Sequence, residues 1–208
     1  MNSIAEKLYE AAAKHGTDKG AENHSFDGTS YLDVYGMVFA PAACRDGIKL
    51  LELGVKDGAS LRMWCEVFPS WEIIGVDIAK SPNLDVGNAT FYCRDQTDPW
   101  LRNLGPLDAV IDDASHFVGK TLRSFQLLFP VLSPGGVYII EDVSALYTTR
   151  NNLASSSLNP DEPDNDPQAF GRFIERLAVQ MNYRRGSVKG ISLMSNIAVI
   201  MKANDSSR

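Results

Sequence analysis

The strongest constraint on the fold is a series of short apolar segments that alternates with amphipathic helical stretches after residue 47. Each apolar segment has the length and composition of a buried β-strand. Strands that alternate with helices predict a mostly parallel sheet with right-handed crossovers and helices on both faces. We place the strands at residues 49–53, 72–77, 89–93, 107–112 and 137–140. Intervening helices are predicted at 59–67 and 118–132, with a weaker one at 99–104.

The flanking regions add helices at the start and a hairpin at the end. Helices are predicted at 4–14, 30–39 (with Ser30 as N-cap) and 168–181, and a strand pair is predicted to turn near 194–196. Residues 151–167 are rich in Ser, Pro, Asn and Asp, which indicates a flexible lid loop or a disordered connection. We therefore expect one domain, divided into an N-terminal helical cap (1–47), a cofactor and metal core (48–150), the lid loop (151–167) and a helix with the terminal hairpin (168–208).

Composition limits the class of partner and the compartment. A length of 208 residues suits one domain, and a net charge of −6 without a Lys/Arg-rich run argues against nucleic acid and anionic membranes as partners. The sequence has no apolar run long enough to span a membrane, and its start lacks the apolar core of a signal peptide. Three cysteines without CxxC spacing indicate reduced thiols, so we expect a cytoplasmic protein.

Acidic residues follow two of the predicted parallel strands. Asp113 follows the strand at 107–112, and the pair Glu141 and Asp142 follows the strand at 137–140. Parallel neighbours bring these residues to the carboxyl edge of the sheet, where open α/β sheets bind ligands. Carboxylates gathered there repel one another unless a cation lies between them, and oxygen ligands suit Mg²⁺ or Mn²⁺. His116 lies three residues after Asp113, close enough to act as a base beside that cation. Alternatively, the acids are helix N-caps or solvated loop residues.

A second set of strand ends indicates a cofactor with a ribose. Glu52 precedes a turn with Gly54 and Gly58, which permits a close approach of the backbone to a ligand. An acid at the end of the second strand, Asp77, is the type of residue that binds ribose hydroxyls. The third strand is followed by Asp95 and Gln96, a polar pair suited to an adenine edge. The turn is not GxGxxG, which favours a cofactor without a pyrophosphate.

These segments resemble the successive motifs of the class I S-adenosylmethionine (SAM)-dependent methyltransferases. The motifs are ELGVKDGAS (52–60), GVDI (75–78), RDQTD (94–98) and the strand end at Asp112 and Asp113. HGTDKG, SLRMWCEVFP, IDDASH, FPVLSPGGVYIIEDV and the terminal hairpin more narrowly resemble the metal-dependent sugar O-methyltransferases of the macrocin, mycinamicin and rhamnosyl type. The chain is short beside the macrolide enzymes, and Ala114 stands where family members usually have glycine.

The five strand–helix alternations followed by a hairpin predict a seven-stranded sheet in the order 3-2-1-4-5-7-6, in which only the strand in the penultimate position is antiparallel. The resemblance implies a Rossmann-like domain of this kind. It also implies a homodimer. In that family the acids corresponding to Asp113, Glu141 and Asp142 bind Mg²⁺, and the histidine corresponding to His116 is the general base. The resemblance also implies that SAM contacts residues at the strand ends and in the TDK unit (17–19). The expected cofactor contacts are Thr17, Lys19, Glu52, Gly54, Gly58, Ser60, Asp77, Asp95, Gln96 and Asp112. Asp18 belongs to the same unit, and His24 is a substrate-side residue or a solvated loop histidine.

The expected function is a SAM- and Mg²⁺-dependent O-methyltransferase, with Mn²⁺ as a possible substitute. The acceptor is a sugar hydroxyl of a glycoside, oligosaccharide or glycosylated metabolite, and two vicinal hydroxyls chelate the cation. A catechol-type O-methyltransferase is the main alternative, but such enzymes typically have lysine in place of His116 and Asp-Asn in place of Glu141 and Asp142. A second alternative is a nucleotide-binding oxidoreductase, but the sequence lacks the GxGxxG motif of that class. A third alternative is a non-catalytic SAM-binding module.

Overall fold

The structure, a computed structural model, describes residues 3–20, 28–147, 166, 168–183, 187–194 and 196–204. The α-helices in these ranges are α1 Ile4–His15, α2 Tyr31–Phe39, α3 Ala59–Val67, α4 Val118–Leu128, α5 Val143–Leu146 and α6 Ala169–Asn182. The strands are β1 Lys49–Leu53, β2 Glu72–Asp77, β3 Thr90–Cys93, β4 Leu107–Asp112, β5 Leu132–Glu141, β6 Val188–Met194 and β7 Ile197–Lys202. Single-turn or short 3₁₀ helices are Asp18–Gly20, Ala40–Ala42, Pro99–Leu104 and Phe129–Val131.

The seven described strands form one sheet in the order β3-β2-β1-β4-β5-β7-β6. Strands β1 to β5 pair in parallel, whereas β7 is antiparallel to both of its neighbours. The predicted sheet order and the single antiparallel strand are therefore confirmed. Asp112 is in register with Leu53 on one side and with Ile140 on the other, so the residues that follow these three strands lie at one level of the sheet edge.

Apolar side chains from alternate strand positions form a core on each face of the sheet. One core packs the sheet against α1, α2 and α3 and contains an aromatic group that includes Tyr35, Phe39, Trp64 and Phe68. The other core packs the opposite face against α4 and α6. Helices packed on both faces therefore hold the sheet, including its carboxyl edge, in place.

Several predicted boundaries match and others shift for a local reason. Ser30 is the N-cap of α2, as predicted, and its hydroxyl accepts a hydrogen bond from the amide of Leu32 at 3.1 Å. The helix predicted at 118–132 ends at Leu128, because Pro130 has no amide hydrogen and its ring opposes continuation of the helix. Strand β5 then begins at Leu132 rather than 137, with an irregular pairing opposite Leu107 and Ala109. The segment 99–104 is a 3₁₀ helix, with proline in its first turn.

Residues 151–165 and 167 of the predicted lid loop lie outside the described residues. Within the part of the chain that the structure describes, no helix has both the length and the apolar character needed to cross a bilayer.

Candidate active site

A cavity of about 360 Å³ opens at the carboxyl edge of the sheet, next to the ends of β1, β4 and β5. It brings together most of the residues that the sequence singles out. Those that line it are Thr17, Lys19, Gly54, Ser60, Asp77, Asp113, His116, Glu141 and Asp142. A smaller cavity of about 110 Å³ shares Gly54 and Asp77 and adds Asp95 and Gln96. The cavities place the cofactor motifs and the acidic cluster side by side.

The backbone of the acidic cluster departs from ordinary strand and helix geometry. Both His116, with φ of 54°, and Asp142, with φ of 51°, adopt left-handed conformations. Such conformations are uncommon for residues with a side chain and concentrate at functional sites. The amide of Asp113 donates to the carbonyl of Leu53 at 2.9 Å, which joins the end of β4 to the glycine turn.

Lys19 supplies the cation that lies between two of the predicted metal ligands. Its ammonium is 2.7 Å from Oδ2 of Asp113, 2.7 Å from Oε1 of Glu141 and 3.2 Å from Oε1 of Glu52, and only 3% of the side chain is exposed. Burial by itself lowers the pKa of Lys19, but the charges of the three carboxylates outweigh it and hold the pKa well above its usual value. The sequence predicted that a divalent ion would separate these acids and that Lys19 would contact the cofactor. In the structure the ammonium lies between Asp113 and Glu141, and Lys19 also lines the main cavity, so both expectations stay predictions.

Glu141 is the most enclosed acid of the cluster. Its Oε1 accepts hydrogen bonds from Lys19 and from the hydroxyl of Tyr35, and the residue is 3% exposed. Burial, reinforced by the charge of Asp113, raises the pKa of the Glu141 carboxyl. The predicted ligand Glu141 is therefore engaged by neighbouring side chains, and it lies behind the more accessible acids.

Asp113, His116 and Asp142 have the geometry of a candidate cation site. Nε2 of His116 is 3.9 Å from Oδ1 of Asp113 and 3.5 Å from Oδ2 of Asp142. One ligand atom from each of the three residues lies within 4.8 Å of the others. Neighbouring ligands on an octahedral ion of Mg²⁺ size are about 3 Å apart, so a small inward movement suffices. The donor set, two carboxylates and an imidazole, fits a small divalent cation.

The glycine turn after β1 forms the other wall of the main cavity. Gly54 has φ of 88°, and a Cβ atom there would lie 2.1 Å from the carbonyl oxygen of Asp113. Glycine is required at this position because any side chain would collide with the backbone of the acidic cluster. Oδ2 of Asp77 accepts from the amides of Val55 and Lys56 at 2.9 and 3.0 Å, so the acid at the end of β2 fixes the turn.

The smaller cavity has a polar wall built from the residues after β3. Asp95 accepts from the ammonium of Lys120 at 3.1 Å and from Thr97. The amide nitrogen of Gln96 donates to Oδ1 of Asp112 at 3.2 Å, and the amide oxygen of Gln96 accepts from the backbone of Ser115. These bonds fix the orientation of Gln96 at the cavity wall.

Three residues predicted to contact the cofactor, Glu52, Gly58 and Asp112, do not line either cavity as the described residues form it. Glu52 has no exposed surface and binds the indole Nε1 of Trp64 at 2.9 Å. Gly58 is the N-cap of α3 and approaches the carbonyl of Asp85. Asp112 accepts from the hydroxyl of Tyr138 at 2.9 Å, and burial raises its pKa to about 7. Their positions indicate supporting roles behind the cavity wall.

The sequence analysis did not identify three side chains that contact the acids: Tyr31, Tyr35 and Asn196. The two tyrosines lie four residues apart on α2 and follow an apolar helical pattern, so they resemble ordinary core residues. A buried tyrosine hydroxyl usually needs a hydrogen-bond partner, and this requirement was the one signal that could have linked the two tyrosines to the acids. His24 lies outside the described residues.

Comparisons with known proteins agree with this fold. No protein-family model matches the sequence. The chain is 36% identical over 148 residues to the 8-demethyl-8-alpha-L-rhamnosyl tetracenomycin-C 2'-O-methyltransferase of Streptomyces olivaceus, over 65% of this chain and 37% of the relative. It is 38% identical over 112 residues to the mycinamicin VI 2''-O-methyltransferase of Micromonospora griseorubida, over 48% of this chain and 28% of the relative. The chain thus spans well under half the length of these curated relatives.

A solved structure matches nearly the whole chain. The MycE methyltransferase from the mycinamycin biosynthetic pathway, in complex with Mg, SAH and mycinamycin VI, superposes with a TM-score of 0.73 and 27% sequence identity. The match covers 97% of this chain and 56% of MycE. The chain therefore has the Rossmann-like methyltransferase fold of MycE, and its sequence is similar to those of sugar O-methyltransferases.

Proposed function

We propose that this protein transfers a methyl group from SAM to a sugar hydroxyl, with a divalent cation bound beside the acceptor. The observation that carries the proposal is the single cavity that joins the glycine turn at Gly54 to Asp113, His116 and Asp142. The acceptor class is a glycoside, an oligosaccharide or a glycosylated metabolite. It is supported by the relatives, whose names describe methylation of rhamnosyl tetracenomycin and mycinamicin.

SAM would occupy the two adjoining cavities. Asp77 and Gln96 line the smaller one and offer groups for the ribose and the adenine, while Gly54 lets the backbone approach the methionine part. Thr17 and Ser60 line the larger cavity near the same turn. This arrangement would direct the sulfonium toward the acidic cluster.

Asp113 and Asp142 would hold Mg²⁺ or Mn²⁺, and Glu141, which lines the same cavity, would complete the protein ligands. When bound, the cation supplies a positive charge that two vicinal sugar hydroxyls can chelate and that makes a hydroxyl more acidic. The charge of the site supports this assignment. The cluster has four acidic side chains, Glu52, Asp113, Glu141 and Asp142, around one lysine, and this excess of acids suits a divalent cation and the sulfonium of SAM.

His116 would accept the proton of the hydroxyl. Its side chain is 34% exposed, and Nε2 lies 3.9 Å from Oδ1 of Asp113 and 3.5 Å from Oδ2 of Asp142, at the cavity where the hydroxyl would bind. The hydroxyl oxygen forms a bond to the methyl carbon, the carbon–sulfur bond breaks, and its electron pair stays on sulfur to give S-adenosylhomocysteine. General base catalysis of this type contributes about 10²–10⁴-fold to the rate.

The test is methyl transfer from labelled SAM to a panel of glycosides, with catechols in the same panel. We expect a labelled glycoside that disappears with EDTA and returns with Mg²⁺ or Mn²⁺. His116→Ala should retain SAM binding and lose turnover, whereas the control His15→Ala should stay active because His15 pairs with Glu66 on helix α3. Full activity after exhaustive chelation, or transfer to catechols alone, would overturn the proposal.

Two expectations from the sequence stay predictions. A homodimer is predicted from the family resemblance, and light scattering that gives the monomer mass at working concentration would contradict it. A cytoplasmic location is predicted from the composition of the chain and its unpaired cysteine pattern.

A further inference from the structure

Asp142 is held by two side chains from distant parts of the chain. Its Oδ1 accepts from the hydroxyl of Tyr31 on α2 at 2.8 Å and from Nδ2 of Asn196, in the turn between β6 and β7, at 2.9 Å. Nδ2 of Asn196 also donates to the Tyr31 hydroxyl at 2.7 Å. These three side chains form a closed triangle of hydrogen bonds beside the cavity.

Asn196 also fixes the backbone that carries Asp142. Its carbonyl accepts from the amide of Val143 at 3.1 Å, and its side-chain Oδ1 accepts from the amide of Ser144 at 2.8 Å. These are amides of the first turn of α5, which follows Asp142 directly. Asn196 has φ of 60°, a left-handed conformation that asparagine tolerates better than most residues. The hairpin turn thereby caps α5 and orients Asp142 at the same time.

The two partly buried acids of the site, Asp113 and Asp142, share a pattern. Asp142 uses Oδ1 for Tyr31 and Asn196, and its Oδ2 is the oxygen near His116. Asp113 uses Oδ2 for Lys19, and its Oδ1 is the oxygen near His116. In each carboxylate, bonds to one oxygen fix the direction of the other.

We propose that Tyr31 and Asn196 are positioning residues that aim Oδ2 of Asp142 at the cation of the active site. The inference rests on the proposed function, because it needs a cation at Asp113 and Asp142. Partners that orient a ligand in this way change metal affinity by about 10–100-fold when removed. The physical reason is that an unrestrained carboxylate must be ordered when the ion binds.

The experiment measures Mn²⁺ affinity by electron paramagnetic resonance in the full chain. Tyr31→Phe removes one hydroxyl and keeps the buried ring. Asn196→Gly removes the side chain and keeps the left-handed backbone accessible. The matched control is Tyr9→Phe, which removes a hydroxyl bonded to another carboxylate, Asp33 at 3.1 Å, away from the cavity. The dissociation constant for Mn²⁺ should rise about 10–100-fold in the first two variants and stay at the wild-type value in the control.

The possible outcomes separate the positioning role from the cation assignment. If wild-type protein binds no Mn²⁺, the cation assignment of the proposed function fails. If wild type binds Mn²⁺ and both variants bind it equally well, the positioning role is overturned while the cation assignment stands. A merely structural role would lower the melting temperature without changing the Mn²⁺ affinity or line shape of the folded protein. If one variant does not fold, the other gives the answer.

Discussion

Replacement of Lys19 by methionine should destabilise the protein strongly. The ammonium is 3% exposed and contacts three carboxylates, so its removal leaves Glu52, Asp113 and Glu141 close together without a counterion. Removing one partner of a buried ion pair costs about 3–5 kcal/mol of unfolding free energy. For a chain of this size that loss corresponds to a melting temperature lower by roughly 6–20 °C.

The matched control is Lys14→Met. Lys14 also pairs with a glutamate, Glu66 at 2.8 Å, but 64% of its side chain is exposed. Exposed pairs contribute about 0–1 kcal/mol, so this variant should melt within a few degrees of wild type. Both variants are compared by calorimetry or circular dichroism at the same ionic strength, without added metal.

Two further conditions test the reason for the loss. Burial and the charge of Asp113 raise the pKa of Glu141 to about 8, so the effect of Lys19→Met should become smaller as the pH falls through that value and Glu141 takes up a proton. Added Mg²⁺ should restore part of the stability, since it supplies positive charge next to Asp113. If Lys19→Met melts like Lys14→Met under all conditions, the buried lysine does not hold the carboxylates together and the electrostatic account of the site is wrong.

Three other predictions follow from the cofactor side. Gly54→Ala should destabilise the fold by about 1–3 kcal/mol more than Gly16→Ala, because both glycines have positive φ but only Gly54 would bring a Cβ within 2.1 Å of another residue's backbone oxygen. Thermal melts that show equal losses would contradict this. Asp77→Ala should weaken SAM binding by about 1.5–3 kcal/mol, and unchanged affinity by calorimetry in a folded variant would remove Asp77 from the site. Burial raises the pKa of Asp95, but hydrogen bonds from Thr97 and Lys120 outweigh it and leave the pKa lowered. Its contribution to stability should therefore be lost as pH falls through the folded-state pKa, and the acid limb of melting temperature against pH should be shallower for Asp95→Asn than for wild type.

The strand ends were predictable because each is marked in the sequence itself. Strands β1, β2 and β4 have the predicted bounds, since an apolar run stops at an acid or a glycine. The parallel order then brings Gly54, Asp77 and Asp113 to one edge. The shift at the end of α4 was readable from Pro130, whereas pairing of β5 through Pro134, Gly135 and Gly136 depends on the neighbouring strand.

The internal counterion was not predictable in the same way. Lys19 lies 94 residues from Asp113 and 122 from Glu141 in the chain, so the contact depends on how the N-terminal segment folds over the sheet edge. Local periodicity carries no information on such a contact. The pairing of Tyr31 with Asn196, 165 residues apart, has the same origin. Sequence reasoning identified the acids and could not identify what orients them.

The most direct test of the account is anomalous diffraction from a crystal grown with Mn²⁺ and S-adenosylhomocysteine. The account predicts a manganese peak bonded to carboxylate oxygens of Asp113 and Asp142, with His116 adjacent to it. S-adenosylhomocysteine should lie in the cavities between Gly54 and Gln96, with its sulfur directed toward the metal. A manganese peak elsewhere, or Lys19 still filling the site while the cation stays in solvent, would contradict the central claim that this sheet edge joins cation, cofactor and acceptor.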